Sequence, residues 1–173
     1  MVDLERDVRG LIRDVPDFPR RGILFKDITP LLRDARAFGR VVSALARHAR
    51  RREAGALAAV ESRGFLFGGA LALRTGLPFV PIRKKGKLPW KCVRQAIDLE
   101  YGQDVLEIHR DAVERGQRVL VLDDVLATGG TLEGACRLVE RLGGVVAGCA
   151  CVVELTFLKG RERLRGRDVF SLV

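Results

Sequence analysis

The sequence is poor in the residues that mark several protein classes. Its 173 residues include four cysteines, two histidines, one tryptophan, one tyrosine and one methionine. Cys92, Cys136, Cys149 and Cys151 form no C-x-x-C pair, and only His48 and His109 are available to join them on a metal. That spacing argues against a zinc site, and no disulfide framework is required. The expected reading is a reduced, cytoplasmic chain whose cysteines are small apolar fillers. The longest near-apolar run, 142–153, is too short for a bilayer and is broken by glycines. Met1-Val2-Asp3-Leu4-Glu5-Arg6 contains no apolar signal core. A G-x-x-x-x-G-K-[ST] motif is absent, as is a G-x-G-x-x-G after a strand, which counts against P-loop and dinucleotide enzymes. There is no internal repeat or linker.

Acid is also scarce. Against 31 Lys and Arg stand 22 Asp and Glu, a net charge of +9. The excess sits in three short segments. Arg47, Arg50, Arg51 and Arg52 make the first; Arg83, Lys84, Lys85, Lys87 and Lys91 the second; Lys159, Arg161, Arg163, Arg165 and Arg167 the third. Charge localised in this way suits a polyanion, either nucleic acid or a phosphorylated small molecule, and equally suits a solvated surface. Hydrophobic residues at 47% and a length of 173 fit one soluble globular domain spanning 1–173.

The pattern along the chain alternates. Helical spacing marks 4–13, and a second helix runs from an N-cap at Asp34 to about Arg52. Apolar runs at 56–60, 79–82, 118–122 and 145–153 read as strands, with 104–109 a further one. Helices are expected at 65–74, stopped by Gly76, and at 131–142. Residues 83–102 show no clean period and read as a long loop. Such alternation implies an α/β domain with a largely parallel sheet, and ligands then sit at the carboxyl ends of the strands.

The most informative segment is Val119-Leu120-Val121-Leu122-Asp123-Asp124-Val125-Leu126-Ala127-Thr128-Gly129-Gly130-Thr131. An apolar strand ends in two carboxylates, and a short loop enters a helix through Thr-Gly-Gly-Thr. A helix N-terminus offers unpaired N–H groups and a positive dipole end to a phosphate. Gly129 and Gly130 let backbone approach it closely. Thr128 and Thr131 add hydroxyls. Asp123 and Asp124 can hold vicinal sugar hydroxyls or help place hydrated Mg²⁺. One loop can thus grip a ribose 5-phosphate at both ends.

In that context residues 122–131 resemble the phosphoribosyl pyrophosphate (PRPP) motif of type I phosphoribosyltransferases. Four further blocks are similar to the adenine phosphoribosyltransferase family: 16–19 with 22–30, 61–65, 99–102, and 153–156 with 158–161. Together they cover nearly the whole chain in that family's order. The resemblance implies a mostly parallel central sheet flanked by helices, with a small N-terminal hood over 1–33. It also implies a flexible catalytic loop and hairpin over 83–108. The implied reaction moves the phosphoribosyl group of PRPP to N9 of adenine, giving AMP and pyrophosphate with Mg²⁺, in a homodimer.

The resemblance also implies roles. Phe25 stacks on one face of adenine, Val125 or Leu126 covers the other, and backbone near Leu24 and Lys26 reads the base edge. Asp123, Asp124, Ala127, Thr128, Gly129, Gly130 and Thr131 take the ribose and its phosphate. Arg63, Arg83, Lys84 and Lys87 serve the pyrophosphate, with Arg63 alternatively near the base. Glu100 is the general acid or base, and Tyr101 packs across the closed loop. No protein metal ligand is implied, since Mg²⁺ arrives with PRPP. Read alone, Phe25 is ordinary core packing and Glu100 an exposed loop carboxylate. Residues 89–97 depart from the family pattern, notably at Trp90 and at Ile97, where an aromatic often stands. Two other readings remain: transfer to another purine, or a PRPP-sensing regulator bound to nucleic acid. The length and the presence of Glu100 weigh toward an enzyme with no nucleic-acid or membrane partner.

Overall fold

The computed structural model describes residues 2–99 and 102–173. Helix α1 (Val2–Gly10) precedes β1 (Arg13–Pro16) and β2 (Leu24–Asp27), which pair antiparallel with Val15 opposite Phe25. Helices α2 (Thr29–Arg33) and α3 (Ala35–Arg51) follow. Next come β3 (Ala56–Val60), α4 (Gly64–Thr75), β4 (Phe79–Lys84), β5 (Cys92–Leu99), β6 (Gly102–His109) and β7 (Arg118–Leu122). The chain continues through β8 (Val125–Leu126), α5 (Gly130–Arg141), β9 (Val145–Cys151) and β10 (Val153–Glu154). Two 3₁₀ turns, Thr156–Leu158 and Gly160–Leu164, lead to β11 (Val169–Ser171). No described helix is long and apolar enough to cross a membrane.

Seven strands form the central sheet in the order β11-β9-β7-β3-β4-β6-β5. The pairs from β11 to β4 are parallel, and β6 runs antiparallel to both β4 and β5. Strand β3 shows why the central strands read as unbroken apolar runs. Its Leu57 and Ala59 join the core under α3 and α4, while Ala56, Ala58 and Val60 join the core under α5. Both faces are buried, so no polar position alternates. Its alanines also admit the helices closely: a Cβ on Gly68 of α4 would lie 2.8 Å from Ala59 Cβ.

Local signals in the sequence act as expected at several boundaries. Asp34 caps α3, accepting the Ala37 N–H at 2.9 Å, and Gly76 ends α4 with φ of 73°. The structure corrects the long-loop reading of 83–102. Strand β4 continues to Lys84, β5 runs from Cys92 to Leu99, and Gly102 opens β6. Along β5, Val93, Gln95 and Ile97 turn inward while Arg94, Ala96 and Asp98 turn out. A polar Gln on the inner face and an apolar Ala on the outer one hide the two-residue period. The single strand expected over 145–153 is also two. The N–H groups of Val152 and Val153 both donate to Asp124 O at 3.0 Å, which turns β10 out of the main sheet to pair with β8.

Strand β5 lies against α5 through a knob and a hole. A Cβ on Gly134 would come within 2.1 Å of Ile97 Cγ2. Ile97 is the position where the family resemblance leads one to expect an aromatic. Gly134→Ala is therefore expected to destabilise the fold by about 1–3 kcal/mol through overpacking, despite the helix-propensity gain of about 1 kcal/mol. Ile97→Ala in the same chain removes the colliding methyl. Thermal unfolding of both single variants and the double should show favourable coupling; strict additivity would contradict the packing described.

Candidate active site

Register sets the site. Ala59 pairs with Leu122, and Val60 pairs with Ile82. One step further, Glu61 and Arg83 leave neighbouring strands side by side, with Asp123 close to the same level. These carboxyl ends form one edge of the sheet, where parallel α/β proteins bind ligands. The Glu61–Ser62 peptide that follows β3 is cis.

Beyond β7, Asp123 N–H donates to Ala150 O at 3.1 Å, and Asp124 N–H donates to Asp123 Oδ1 at 2.9 Å. Burial pushes the Asp123 carboxyl well above its ordinary value, and the neighbouring Asp124 charge adds to that rise. Burial also raises Asp124, against the pull of Arg63. Asp124 Oδ2 is buried without an aligned hydrogen bond, although Arg63 Nε stands 2.8 Å away as an ion pair.

The loop from Ala127 to Gly130 then opens α5, whose first N–H groups lack partners within the helix. Gly129 takes φ of 85° at the cap. Gly129 and Gly130 are buried, while Ala127, Thr128 and Thr131 keep accessible surface. A Cβ on Gly129 would sit 2.4 Å from Gly160 O, and one on Gly130 would sit 2.0 Å from Asp98 O. The two glycines thus sit where backbone closes in from β5 and from the C-terminal 3₁₀ turn.

Beside this loop lies a cavity of about 250 Å³, lined by residues that include Leu24, Phe25, Lys26, Arg63, Val125, Ala127, Leu155 and Phe157. Phe25 meets Phe18 edge-on at 5.1 Å, and the Arg63 guanidinium stands 4.9 Å from the Phe25 ring centre. Arg63 therefore touches both halves of the site: Phe25 on one side, Asp124 on the other. Lys26 is paired with Asp14 at 2.5 Å. The sequence allowed Val125 or Leu126 as the wall facing Phe25. Val125 lines the cavity; Leu126 is 1% exposed and belongs to the core.

The basic segment at the end of β4 is a braced turn. Arg83 Nε lies 2.6 Å and Lys87 Nζ 2.9 Å from Glu61, and Lys84 Nζ lies 2.9 Å from Asp104. Gly86 N–H donates to the buried Glu107 at 2.9 Å, which also accepts from Arg94 at 2.7 Å. Burial alone would raise the Glu61 carboxyl, but hydrogen bonds from Lys87 and Arg83 outweigh it and hold it below 4.5.

Most expected site residues converge on this edge, in three groups around Asp123–Thr131, Phe25 and Arg83–Lys87. Glu100 and Tyr101 lie outside the described residues. Sequence reasoning missed Leu155 and Phe157 as pocket wall, and Glu61, Asp104 and Glu107 as bracing acids. Glu61 and Leu155 lie inside the blocks of family resemblance, so position within a block was the available signal.

Comparison with known proteins agrees with this geometry. Residues 31–171 match the family model of the phosphoribosyl transferase domain. The chain is 53% identical over 167 residues to an adenine phosphoribosyltransferase of Caldanaerobacter subterraneus, covering 96% of each. Its fold superposes on the adenine phosphoribosyltransferase of Thermoanaerobacter pseudethanolicus with a TM-score of 0.94 at 52% identity, covering 97% of this chain and 98% of that one. The Saccharomyces cerevisiae enzyme, complexed with D-2,5-dideoxy-2,5-imino-altritol 1,6-bisphosphate and adenine, also gives 0.94, at 38% identity and 100% coverage of both chains. With matching motifs, fold and near full-length identity, the chain belongs to the adenine phosphoribosyltransferases, within the phosphoribosyl transferase domain family.

Proposed function

We propose that this chain transfers the phosphoribosyl group of PRPP to N9 of adenine, giving AMP and pyrophosphate in purine salvage. The observation that carries the reading is Arg63, which joins the Phe25 cavity to the Asp123–Thr131 loop. A flat base in that cavity and a ribose phosphate on that loop would meet at one glycosidic carbon. Phe25 and Val125 supply apolar faces for the ring, and backbone of Leu24 and Lys26 reads its edge. Asp123 and Asp124 accept from the ribose hydroxyls. Ala127 through Thr131 hold the 5-phosphate at the start of α5.

In the reaction the C1′–O bond to pyrophosphate breaks, and the electron pair leaves on the pyrophosphate oxygen. Arg83, Lys84 and Lys87 stabilise that developing charge. The N9–C1′ bond forms as the N9 proton passes to Glu100, the role that family resemblance gives it. Tyr101 and the segment 83–108 then exclude water, which would otherwise capture the cationic ribose. The adjacent carboxylates of Asp123 and Asp124, one with an oxygen free of aligned hydrogen bonds, are hard donors of the kind that suit hydrated Mg²⁺. When bound with PRPP, that ion supplies charge neutralisation at the leaving group.

The working form we propose is a cytoplasmic homodimer. Its four cysteines are spaced as small apolar fillers rather than as a disulfide framework, which suits a reducing compartment. Helix α4 is apolar on its outer side too, with Leu66 and Leu73 left 47% and 90% exposed, and a second copy of the chain is the partner proposed for that side. Sedimentation of the chain as a monomer would remove this part of the reading.

The test of the reaction supplies Mg²⁺ and PRPP with adenine, hypoxanthine, guanine, xanthine or orotate in turn. AMP from adenine is the expected product, and its absence would end the reading. Glu100→Ala should lower kcat by at least about a hundredfold, the usual scale for lost acid–base catalysis. Unchanged turnover in that variant would remove Glu100 from the proton step.

A further inference from the structure

Glu61 has no part in the reaction as written, yet it stands where the proposed chemistry gathers charge. It follows the last residue of β3, and its N–H donates to Ile82 O at 3.0 Å, which fixes it beside Arg83. Its side chain is 5% exposed. Arg83 reaches Oε2 at 2.6 Å and Lys87 reaches Oε1 at 2.9 Å, so each carboxylate oxygen serves a different cation. Arg83 Nη1 also donates to Lys87 O at 2.9 Å, closing the turn on itself. The other bracing acids do less. Asp104 holds Lys84, and Glu107 holds the Gly86 N–H and Arg94, which is outside the turn.

Two cations brought together repel, and each long side chain loses rotamer freedom when fixed. A buried carboxylate between them offsets both costs before substrate arrives. Arg83 and Lys87 nonetheless keep 35% and 52% of their side chains open, so a polyanion can still reach them. Glu61 also lies two residues before Arg63 on the same connection into α4, which links the cation pair to the residue that touches both Phe25 and Asp124.

We infer that Glu61 is a positioning residue: it presets Arg83 and Lys87 as one pair that receives the pyrophosphate of PRPP. The inference rests on the proposed reaction for its substrate, but the geometry of the pair is independent of it. A preset pair leaves less ordering to the binding step.

The test compares wild type, Glu61→Gln and Glu61→Asp by steady-state kinetics and by calorimetry with Mg²⁺ and pyrophosphate alone. Glu61→Gln should raise the KM for PRPP and weaken pyrophosphate binding by about tenfold each, while the KM for adenine stays within about twofold. Glu61→Asp keeps the charge but reaches one cation, and should fall between the two. If Glu61→Gln does not fold, the Asp variant decides by the same PRPP-selective rise. Equal rises in both KM values with a lower Tm would mean a merely structural role and overturn the inference. So would an unchanged or tighter grip on pyrophosphate. Should wild type make no AMP, the reaction fails, while calorimetry on wild type and variant still decides the role of Glu61.

Discussion

Gly129→Ala is expected to raise the KM for PRPP by about a hundredfold, the scale seen when a positioned group moves by about an ångström. Two separate faults act on one residue. Its φ of 85° lies in the left-handed region, which costs an alanine about 1–2 kcal/mol. Its new Cβ would also stand 2.4 Å from Gly160 O, a backbone atom that cannot rotate aside. Either relief, turning the peptide or pushing the loop, misaims the N–H groups at the start of α5. The contact is reciprocal, since a Cβ on Gly160 would stand 2.2 Å from Ala127 O and 3.0 Å from Gly129 N. Gly160→Ala should therefore give the same loss of PRPP affinity from a residue outside the motif. Because both variants force apart the same two backbones, the double variant should lose less than the sum. Normal PRPP kinetics in Gly160→Ala would show that the two segments yield independently.

That pair illustrates what the sequence carried and what it could not. The strand–loop–helix around Asp123 was legible because its whole logic is local: apolar run, carboxylates, glycines, helix. The cap at Asp34 and the stop at Gly76 were legible for the same reason. Contacts made across the fold were not. The run Arg83-Lys84-Lys85 looked uncompensated, yet Glu61 lies 22 residues away in sequence and 2.6 Å away in space. Arg161 and Arg167 likewise find Glu154 and Glu140 at 2.7 Å each. In the first cluster Arg52 donates to Ala147 O at 2.8 Å and pairs with Asp168 at 3.7 Å. Strand β5 escaped for a different reason. Its inner face sets Gln95 between Val93 and Ile97, and its outer face sets Ala96 between Arg94 and Asp98, so the middle of the strand breaks the alternation that marks one. The elements β1, β2, α2 and β11 are three to five residues long, too short for any period to register. The choice between Val125 and Leu126 stayed open because adjacent residues of a two-residue strand point to opposite faces, and sequence gives no origin for that alternation.

Asp123→Asn is expected to make the protein more stable and a worse enzyme. Burial and the adjacent Asp124 charge both push the Asp123 carboxyl above its ordinary 3.8, so its ionised form is a standing cost in the folded state. The sign follows from proton uptake. With the folded value raised, the folded chain holds its proton more tightly than the unfolded chain does. Ionisation therefore erodes stability as pH rises through 3.8, and the erosion levels off only above the folded value. An asparagine keeps an oxygen for the Asp124 N–H, now 2.9 Å from Oδ1, and carries no charge. Its Tm gain over wild type should be absent below about pH 3.8, should grow above it, and should be greatest at neutral pH and beyond. Each kcal/mol gained would appear as about 2–4 °C in a chain of this size. The charged acceptor proposed for the ribose hydroxyls is lost in the same stroke. A hydrogen bond to a charged group contributes about 1.5–3 kcal/mol, so kcat/KM for PRPP should fall roughly tenfold to a hundredfold. Thermal melts from pH 3 to 8 on both proteins, with PRPP kinetics at neutral pH, measure the two effects separately. A Tm gain that does not vary with pH would assign the stability change to packing rather than charge. A gain without any loss in PRPP use would remove Asp123 from the ribose site. Stability rising as function falls would identify the carboxylate as a group kept ionised, against the preference of the fold, for the sugar it holds.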